Sequence, residues 1–204
     1  VKCQGALVIM DSATGEILAM EGGREYTVRM GFNRVLNARR QPGSVLKPLA
    51  VYAPALERHL STPARIFDDR PTDFGQYSPK NYGGKYYGLV TMRSAVAQSL
   101  NIPSVQMLSE MGGFTGYESL LRFQLEPDPS DTGLSLAVGS MNEGVRPIQL
   151  CAAYASLSSG GIYHPPVLIR RIEDRDGHSL YEATASEKRV LDSSVSYVLT
   201  SLLQ

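Results

Sequence analysis

The chain has few of the residues from which metal sites and disulfides are built. Its 204 residues include no tryptophan, two cysteines and three histidines. Cys3 and Cys151 lie far apart, and neither has a second cysteine or a histidine at the spacing of a metal site. We therefore expect both to be buried apolar side chains rather than a disulfide. The scattered His59, His164 and His178 give little support to a zinc site or a Ser-His-Asp triad, although residues distant in sequence can converge.

An excess of charge of either sign is also absent. The sequence has 20 Lys and Arg residues against 20 Asp and Glu residues, so its formal net charge is zero. A nucleic-acid-binding surface normally shows a basic excess or a basic stripe, and we expect no nucleic-acid partner. No apolar run approaches the roughly 20 residues that cross a bilayer, and no charged-then-apolar leader opens the chain. We expect the chain as given to be soluble.

The sequence does contain strand and helix patterns, without an internal repeat or a clear linker. Two β-hairpins are predicted, one around the turn 11–15 and one around Asp176-Gly177. The Pro-, Gly-, Asp- and Tyr-rich stretch 61–88 predicts an irregular surface segment whose tyrosines could line a groove or pack on the body. Helices are predicted from Ser44, over Thr91–Leu100, from a capping box at Thr115, over Pro147–Leu157, and from Asp192 or Ser193 to Gln204. One domain over residues 1–204 is the economical interpretation.

The sequence around Ser44 has the pattern of a serine nucleophile with its own base. Ser44 stands three residues before Lys47, and Pro42-Gly43 breaks the chain so that a helix can begin at the serine. Side chains at positions i and i+3 of a helix lie about 5–6 Å apart, so Lys47 can reach the hydroxyl. The lysine can act as a base only if its pKa falls from about 10.4 to about 7–8. The alternative is an N-cap serine beside a solvated lysine, because Ser-x-x-Lys alone is common.

A second polar pattern is Ser99-Leu100-Asn101, at the end of the predicted Thr91 helix and just before Pro103. In an extended turn, side chains two residues apart point the same way, so the hydroxyl and the amide could converge on one site. Serine and asparagine are also common helix terminators and turn formers. A plain helix end is therefore the alternative.

Together with their flanking residues, the two patterns resemble the transpeptidase domain of class A penicillin-binding proteins. The segments that carry the resemblance are Phe32-Asn33-Arg34, Ala38-Arg39-Arg40-Gln41-Pro42-Gly43-Ser44, Lys47-Pro48, Tyr77-Ser78-Pro79-Lys80-Asn81-Tyr82, Val90-Thr91-Met92-Arg93 and Ser99-Leu100-Asn101. The similarity covers essentially the whole chain, including both predicted hairpins. It implies an α/β fold of the α+β type, with a penicillin-binding/β-lactamase-like antiparallel sheet flanked by helices and a helical subdomain.

The resemblance implies a role for each candidate residue. Ser44 would be the acylated nucleophile, and Lys47 would be the group that activates it. Ser99 would relay a proton to the leaving amine, and Asn101 would hold the peptide amide of the substrate. The implied partners are the D-Ala-D-Ala stem peptides of peptidoglycan and β-lactam antibiotics, with no metal and no cofactor.

The chain departs from the family pattern near its C-terminal end. The Lys-Thr/Ser-Gly triplet of the strand that edges the active site does not occur. We therefore expect the C-terminal sheet strands to be missing from this chain, and the chain alone to be inactive. A glycosyltransferase domain and a membrane anchor would lie outside it, with the protein on the extracytoplasmic face of the bacterial inner membrane. Leu46, where the family usually has phenylalanine, is an acceptable core substitution.

Two other functions are open at this point. A serine β-lactamase shares the nucleophile and the fold but needs a carboxylate aimed at water, for which Glu126 and Glu143 are the candidates. A non-catalytic penicillin sensor or scaffold module would keep the serine–lysine pair for slow, lasting acylation, or would not need it. Turnover distinguishes the three functions.

Overall fold

The computed structural model describes residues 2–204, which combine α-helices with short antiparallel strands. The strand pairs are β1 (Leu7–Met10) with β2 (Ile17–Glu21), β3 (Ile66–Asp69) with β4 (Gly88–Thr91), β5 (Ile162–Tyr163) with β8 (Lys188–Arg189), and β6 (Arg171–Glu173) with β7 (Ser179–Glu182). The expected mixture of helices and antiparallel strands is confirmed. Within residues 2–204 the strands form separate pairs and not one continuous sheet.

The helices vary in length and type. The α-helices are α1 (Arg34–Asn37), α2 (Ala53–Glu57), α3 (Met92–Ala97), α4 (Asn101–Met111), α5 (Gly113–Arg122), α6 (Pro147–Ser158) and α7 (Ser193–Leu203). Three short 3₁₀ segments cover Gly43–Leu46, Tyr82–Gly84 and Leu134–Val138, and a π-helical turn covers Pro48–Tyr52. Among residues 2–204, no helix has both the length and the apolar character needed to cross a membrane.

Local sequence signals correctly predicted both hairpins and two helices. In the first hairpin, the Asp11 carboxylate accepts hydrogen bonds from the backbone N–H groups of Ala13 and Thr14, which closes the turn. In the second, Asp174 accepts from the N–H groups of Asp176 and His178. Helices α6 and α7 begin where the sequence predicts, at a proline in the first position and after an aspartate.

Several local predictions were wrong. The stretch 61–88 is not wholly irregular, because it contains β3 and the first residue of β4. The helix capped by Thr91 ends at Ala97 and not at Leu100. The helix expected from Thr115 begins at Gly113, and the Thr115 hydroxyl donates to the Met111 carbonyl of the preceding helix. Cys3 is exposed rather than buried, whereas Cys151 is half-buried, and both are free thiols.

The predicted helix from Ser44 changes its geometry along its length. It begins as a 3₁₀ turn, passes through the π-helical turn, and becomes α-helical only at α2. Pro48 and Pro54 have no N–H group to donate, so a regular α-helical ladder cannot form across this segment.

The segment from Leu46 to Leu56 runs through the centre of the core. Leu49, Ala50 and Val51 have no exposed surface, and Tyr52 is almost completely buried. Helices α4, α5 and α7 and the 3₁₀ segment Leu134–Val138 pack around this segment. The buried segment therefore fixes the position of Lys47 at its N-terminal end.

Candidate active site

Ser44 lies in the tight turn that precedes the buried segment. Gly43 has a φ of 59°, and the 3₁₀ turn begins there. Ser44 is exposed, whereas Lys47 one turn later is only 2% exposed. The arrangement puts an exposed hydroxyl one turn before a buried amine.

Residues 139–145 form hydrogen bonds with the residues just before Ser44 and support this turn. The Gly43 N–H donates to the Gly139 carbonyl at 3.2 Å, and Arg40 and Val145 exchange backbone hydrogen bonds of 3.0 and 2.9 Å. The Gln41 side chain accepts from the Met141 N–H at 2.8 Å and donates to the Met141 carbonyl. These contacts fix the backbone just before Ser44 on a separate piece of the chain.

We expect Gly139→Ala to disrupt this support. Gly139 has a φ of 79°, and an added Cβ would overlap the Gly43 carbonyl. The strain costs about 1–3 kcal/mol and the overlap costs about as much again. A lower melting temperature and slower acylation of Ser44 are the expected results. Gly75→Ala is the matched control, because Gly75 also has a positive φ but has open space around it; equal losses in the two variants would contradict the role of the contact.

Lys47 is surrounded by uncharged acceptors. Its Nζ donates to the Ser99 carbonyl at 2.7 Å, the Leu100 carbonyl at 3.1 Å, the Asn101 Oδ1 at 2.6 Å and the Ser99 Oγ at 3.3 Å. Burial lowers the pKa of Lys47 to about 8. This is the range that the sequence argument required for a base, and the solvated-lysine alternative is wrong.

Ser44, Lys47 and Ser99 line one cavity of about 220 Å³, together with Val45, Pro48, Tyr52, Val96, Tyr154 and Leu203. The Tyr154 hydroxyl donates to the Val45 carbonyl at 2.6 Å, and burial raises the pKa of Tyr154 to about 12. Burial likewise raises the pKa of Tyr52, so both tyrosines line the cavity in their neutral, protonated form. The hydrogen bonds of Lys47 go to residues 99–101 and not to Ser44. The two side chains share the cavity, but the expected contact of Lys47 with the Ser44 hydroxyl is not formed in this state.

The second pattern brings its two side chains to Lys47 in a different way from the extended turn that we expected. Ser99 has a φ of 53°, in the left-handed region, and it separates α3 from α4. Asn101 is the first residue of α4. The left-handed residue turns both the carbonyl and the hydroxyl of Ser99 toward Lys47. Strain of this kind costs about 1–3 kcal/mol and is often found at functional sites.

The two glutamates considered for hydrolysis lie elsewhere. Glu126 pairs with Arg39 at 2.9 Å and with Arg146 at 3.1 Å. Glu143 lies 3.6 Å from Arg39. Neither glutamate lines the cavity of Ser44, so the structure gives the β-lactamase alternative no support.

Sequence reasoning missed the residues that support the site. Asn81 accepts from the Asn101 N–H at 2.8 Å, and its amide donates to Asp69. Asn81 belongs to the segment Tyr77-Ser78-Pro79-Lys80-Asn81-Tyr82, but no local sequence rule connects it with a helix that begins 20 residues later. Gln41 lies in the segment 38–44, but nothing in the sequence indicated that its side chain contacts the backbone of Met141.

Comparison with known proteins identifies relatives over nearly the whole chain. The family model described as "Penicillin binding protein transpeptidase domain" matches residues 5–204. Penicillin-binding protein 1F of Bacillus subtilis is 40% identical over 98% of this chain, and penicillin-binding protein 1A of Clostridium tetani is 32% identical over 100% of it. The chain spans 28% of the length of each of these relatives.

Solved structures show the same fold. The crystal structure of penicillin-binding protein 1A from Haemophilus influenzae matches with a TM-score of 0.88 and 27% identity, covering 98% of this chain and 34% of that one. PonA1 from Mycobacterium tuberculosis, in complex with penicillin V, matches with a TM-score of 0.86 and 22% identity, covering 98% of this chain and 55% of that one.

Proposed function

The chain belongs to the penicillin-binding protein transpeptidase family, and from this we propose that it carries the nucleophile, the base and part of the substrate site of a D,D-transpeptidase. The enzyme cross-links peptidoglycan stem peptides ending in D-Ala-D-Ala through an acyl-enzyme on Ser44. β-Lactams acylate the same serine in this proposal, and PonA1, which has the same fold, is in complex with penicillin V. Residues 1–204 form the N-terminal and central portion of one transpeptidase domain.

One observation supports this proposal above the others. A lysine that is 2% exposed contacts Ser99 and Asn101 while it shares a cavity with the exposed Ser44. Burial brings the pKa of Lys47 to about 8. At pH 7 about a tenth of the amine is then neutral, compared with well under a thousandth for a solvated lysine. The site therefore holds a usable base next to an accessible hydroxyl.

In the first half-reaction, the neutral Lys47 amine takes the proton of Ser44 as Oγ attacks the carbonyl carbon of the penultimate D-alanine. The backbone N–H of Ser44 stands in the first helical turn, where N–H groups lack intrahelical partners, and it donates to the oxyanion. One such donor contributes about 3–4 kcal/mol to acyl transfer. The C–N bond then breaks, the leaving D-alanine nitrogen takes a proton through the Ser99 hydroxyl, and an ester remains on Ser44.

In the second half-reaction, the amine of a neighbouring stem attacks the ester carbonyl. The amine loses a proton toward Ser99 and Lys47, the Ser44 oxygen regains one, and the new amide leaves. Asn101 positions the donor peptide: its Oδ1 accepts from Lys47, and the second lone pair of that oxygen is available to a substrate N–H.

We place the protein at the cell-wall side of the bacterial cytoplasmic membrane. The relatives that support this location are penicillin-binding proteins of which the chain spans only part. A glycosyltransferase domain and a membrane anchor are the further parts that a class A member would carry.

Turnover tests the proposed function. The full-length protein is incubated with a D-Ala-D-Ala stem peptide and a labelled D-amino acid, and separately with penicillin. We expect exchange of the terminal D-alanine for the label, and one penicillin mass per chain that persists. Repeated hydrolysis of penicillin would instead establish a β-lactamase. Lasting acylation without any exchange would establish a sensor.

A further inference from the structure

Asp69 and Asn81 form a buried polar pair behind the proposed catalytic residues. Asp69 has no exposed surface, and Asn81 is 5% exposed. Asp69 ends β3, and Asn81 lies in the loop before β4. A buried carboxylate is costly unless its oxygens are hydrogen-bonded, so the partners of Asp69 show why it can be there.

Every hydrogen bond of the Asp69 carboxylate comes from an N–H group. The Asn81 Nδ2 donates to its two oxygens at 2.8 and 2.9 Å, and the Tyr87 N–H donates at 2.9 Å. The same Nδ2 donates to the Lys85 carbonyl at 3.0 Å. With its amino group engaged in this way, Asn81 can turn only its carbonyl oxygen toward the active site.

That oxygen completes the N-terminus of α4. Asn81 Oδ1 accepts from the Asn101 N–H at 2.8 Å and the Ile102 N–H at 3.3 Å. The residue before α4, Leu100, has no side chain that can cap the helix, so the cap comes from 20 residues upstream. The cap fixes the residue whose side chain contacts Lys47.

The adjacent residue fixes the orientation of the Asn101 amide. Asn101 Nδ2 donates to the Lys80 carbonyl at 2.7 Å, which leaves Oδ1 facing the Lys47 Nζ at 2.6 Å. A continuous chain of hydrogen bonds thus runs from Asp69 through Asn81 and Asn101 to Lys47. The titratable side chains that line the cavity beside Lys47 are Tyr52 and Tyr154.

We propose that Asp69 and Asn81 are positioning residues for the reaction, which set the place and the proton affinity of Lys47 through the first residue of α4. The inference rests on the proposed function for its activity readout. Without the pair, α4 loses its cap, and Asn101 and Ser99 no longer hold the amine at the cavity. Misplacement by about 1 Å reduces acyl transfer by about 100-fold.

Exchanging the aspartate and the asparagine between positions 69 and 81 tests the pair. The single variant Asp69→Asn places an NH₂ group against the NH₂ group of Asn81. The single variant Asn81→Asp places two carboxylates together. We expect each single variant to slow penicillin acylation of the full-length protein by about 10- to 100-fold. In the double variant Asp69→Asn/Asn81→Asp, position 69 donates to position 81, and position 81 still accepts from the α4 N–H groups, whereas the Lys85 carbonyl loses the donor that Asn81 supplies. We expect the double variant to be about threefold or more faster than either single variant, with each rate measured above the midpoint of its own pH profile.

The pH profile separates positioning from simple stability. In the double variant the negative charge lies at position 81, one side chain nearer to Lys47 than in the parent. A nearer negative charge favours the ammonium form and raises the pKa of Lys47. The pH profile of acylation in the double variant should therefore shift to higher pH. Leu120→Ala is the control for stability, because Leu120 is a fully buried core residue of α5. It lowers the melting temperature through a cavity and leaves the midpoint of the profile in place.

Titration of Lys47 itself provides a readout that needs no substrate. NMR of isotope-labelled lysine, with Lys47→Arg to assign the signal, measures its pKa in the parent and in each variant. Single variants with the parent rate, profile and Lys47 titration would overturn the inference, as would a double variant that is no faster than the single variants and whose Lys47 titration does not move to higher pH. A parent protein that penicillin does not acylate on Ser44 would overturn the proposed function, while the Lys47 titrations would still decide the positioning role.

Discussion

Ser44→Ala should abolish penicillin labelling of the full-length protein. Alanine has no oxygen to form the ester, and loss of the nucleophile in serine acyl transfer costs about 10⁶-fold in turnover. The measurement is the mass of the protein after incubation with excess penicillin: one added penicillin in the parent, none in the variant. D-Alanine exchange on the stem peptide should be lost in parallel.

The position of the adduct can be read directly. Trypsin cleaves after Arg40 and Arg58, and Lys47 is protected by the following Pro48, so the expected peptide covers residues 41–58 with Ser44 as its one serine. Ser194→Ala, at an exposed serine in α7, is the matched control and should label like the parent. An adduct on the peptide that contains Ser99, or equal labelling of Ser44→Ala, would show that Ser44 is not the nucleophile.

Lys47→Arg should reduce the acylation rate by about 1000-fold, because general base catalysis contributes about 10²–10⁴-fold. Arginine keeps the positive charge and can donate to the carbonyls of Ser99 and Leu100. Its pKa is far too high for it to accept the Ser44 proton. The variant therefore removes the base while it keeps the cation. A rate near that of the parent at pH 7 would contradict the role of Lys47 as the base.

The parent enzyme should show the titration of this base. The reactive form of Lys47 is the neutral amine, and burial puts its pKa at about 8. The rate of acylation is therefore full above that pH and is lost as the pH falls through it, about tenfold per pH unit below 7. The Lys47→Arg profile should lack this step. A parent profile that is flat from pH 6 to pH 9 would mean that the amine is not the base.

Sequence patterns predicted the elements whose signals are local. The hairpin around Asp11 and the helix that begins at Pro147 follow from turn residues and from proline at the first helical position, and both are present. The Ser44–Lys47 spacing predicted that the amine can reach the hydroxyl; both residues line one cavity, although Nζ donates to residues 99–101. In each case the residues that determine the structure lie within a few positions of one another.

The elements that were missed depend on distant partners. β3 contains Asp68 and Asp69, which are poor strand formers, and it exists where Asn81 and Tyr87 satisfy the buried carboxylate. Helix α4 begins without a capping side chain of its own, because Asn81 supplies the cap. Local propensities carry no information about such contacts.

The uncharged acceptors around Lys47 also determine what deprotonation does. An ammonium has three N–H donors for the oxygens of Ser99, Leu100 and Asn101. A neutral amine has two donors and a lone pair, and a lone pair aimed at an oxygen is repelled. Loss of one proton therefore forces the lone pair away from these oxygens and toward the open side of the cavity, where the Ser44 hydroxyl can donate to it. With the ammonium form of Lys47, the site is therefore inactive for two reasons. The extra proton leaves no lone pair to accept the Ser44 proton, and it also keeps the N–H groups of Lys47 directed at residues 99–101 and away from Ser44.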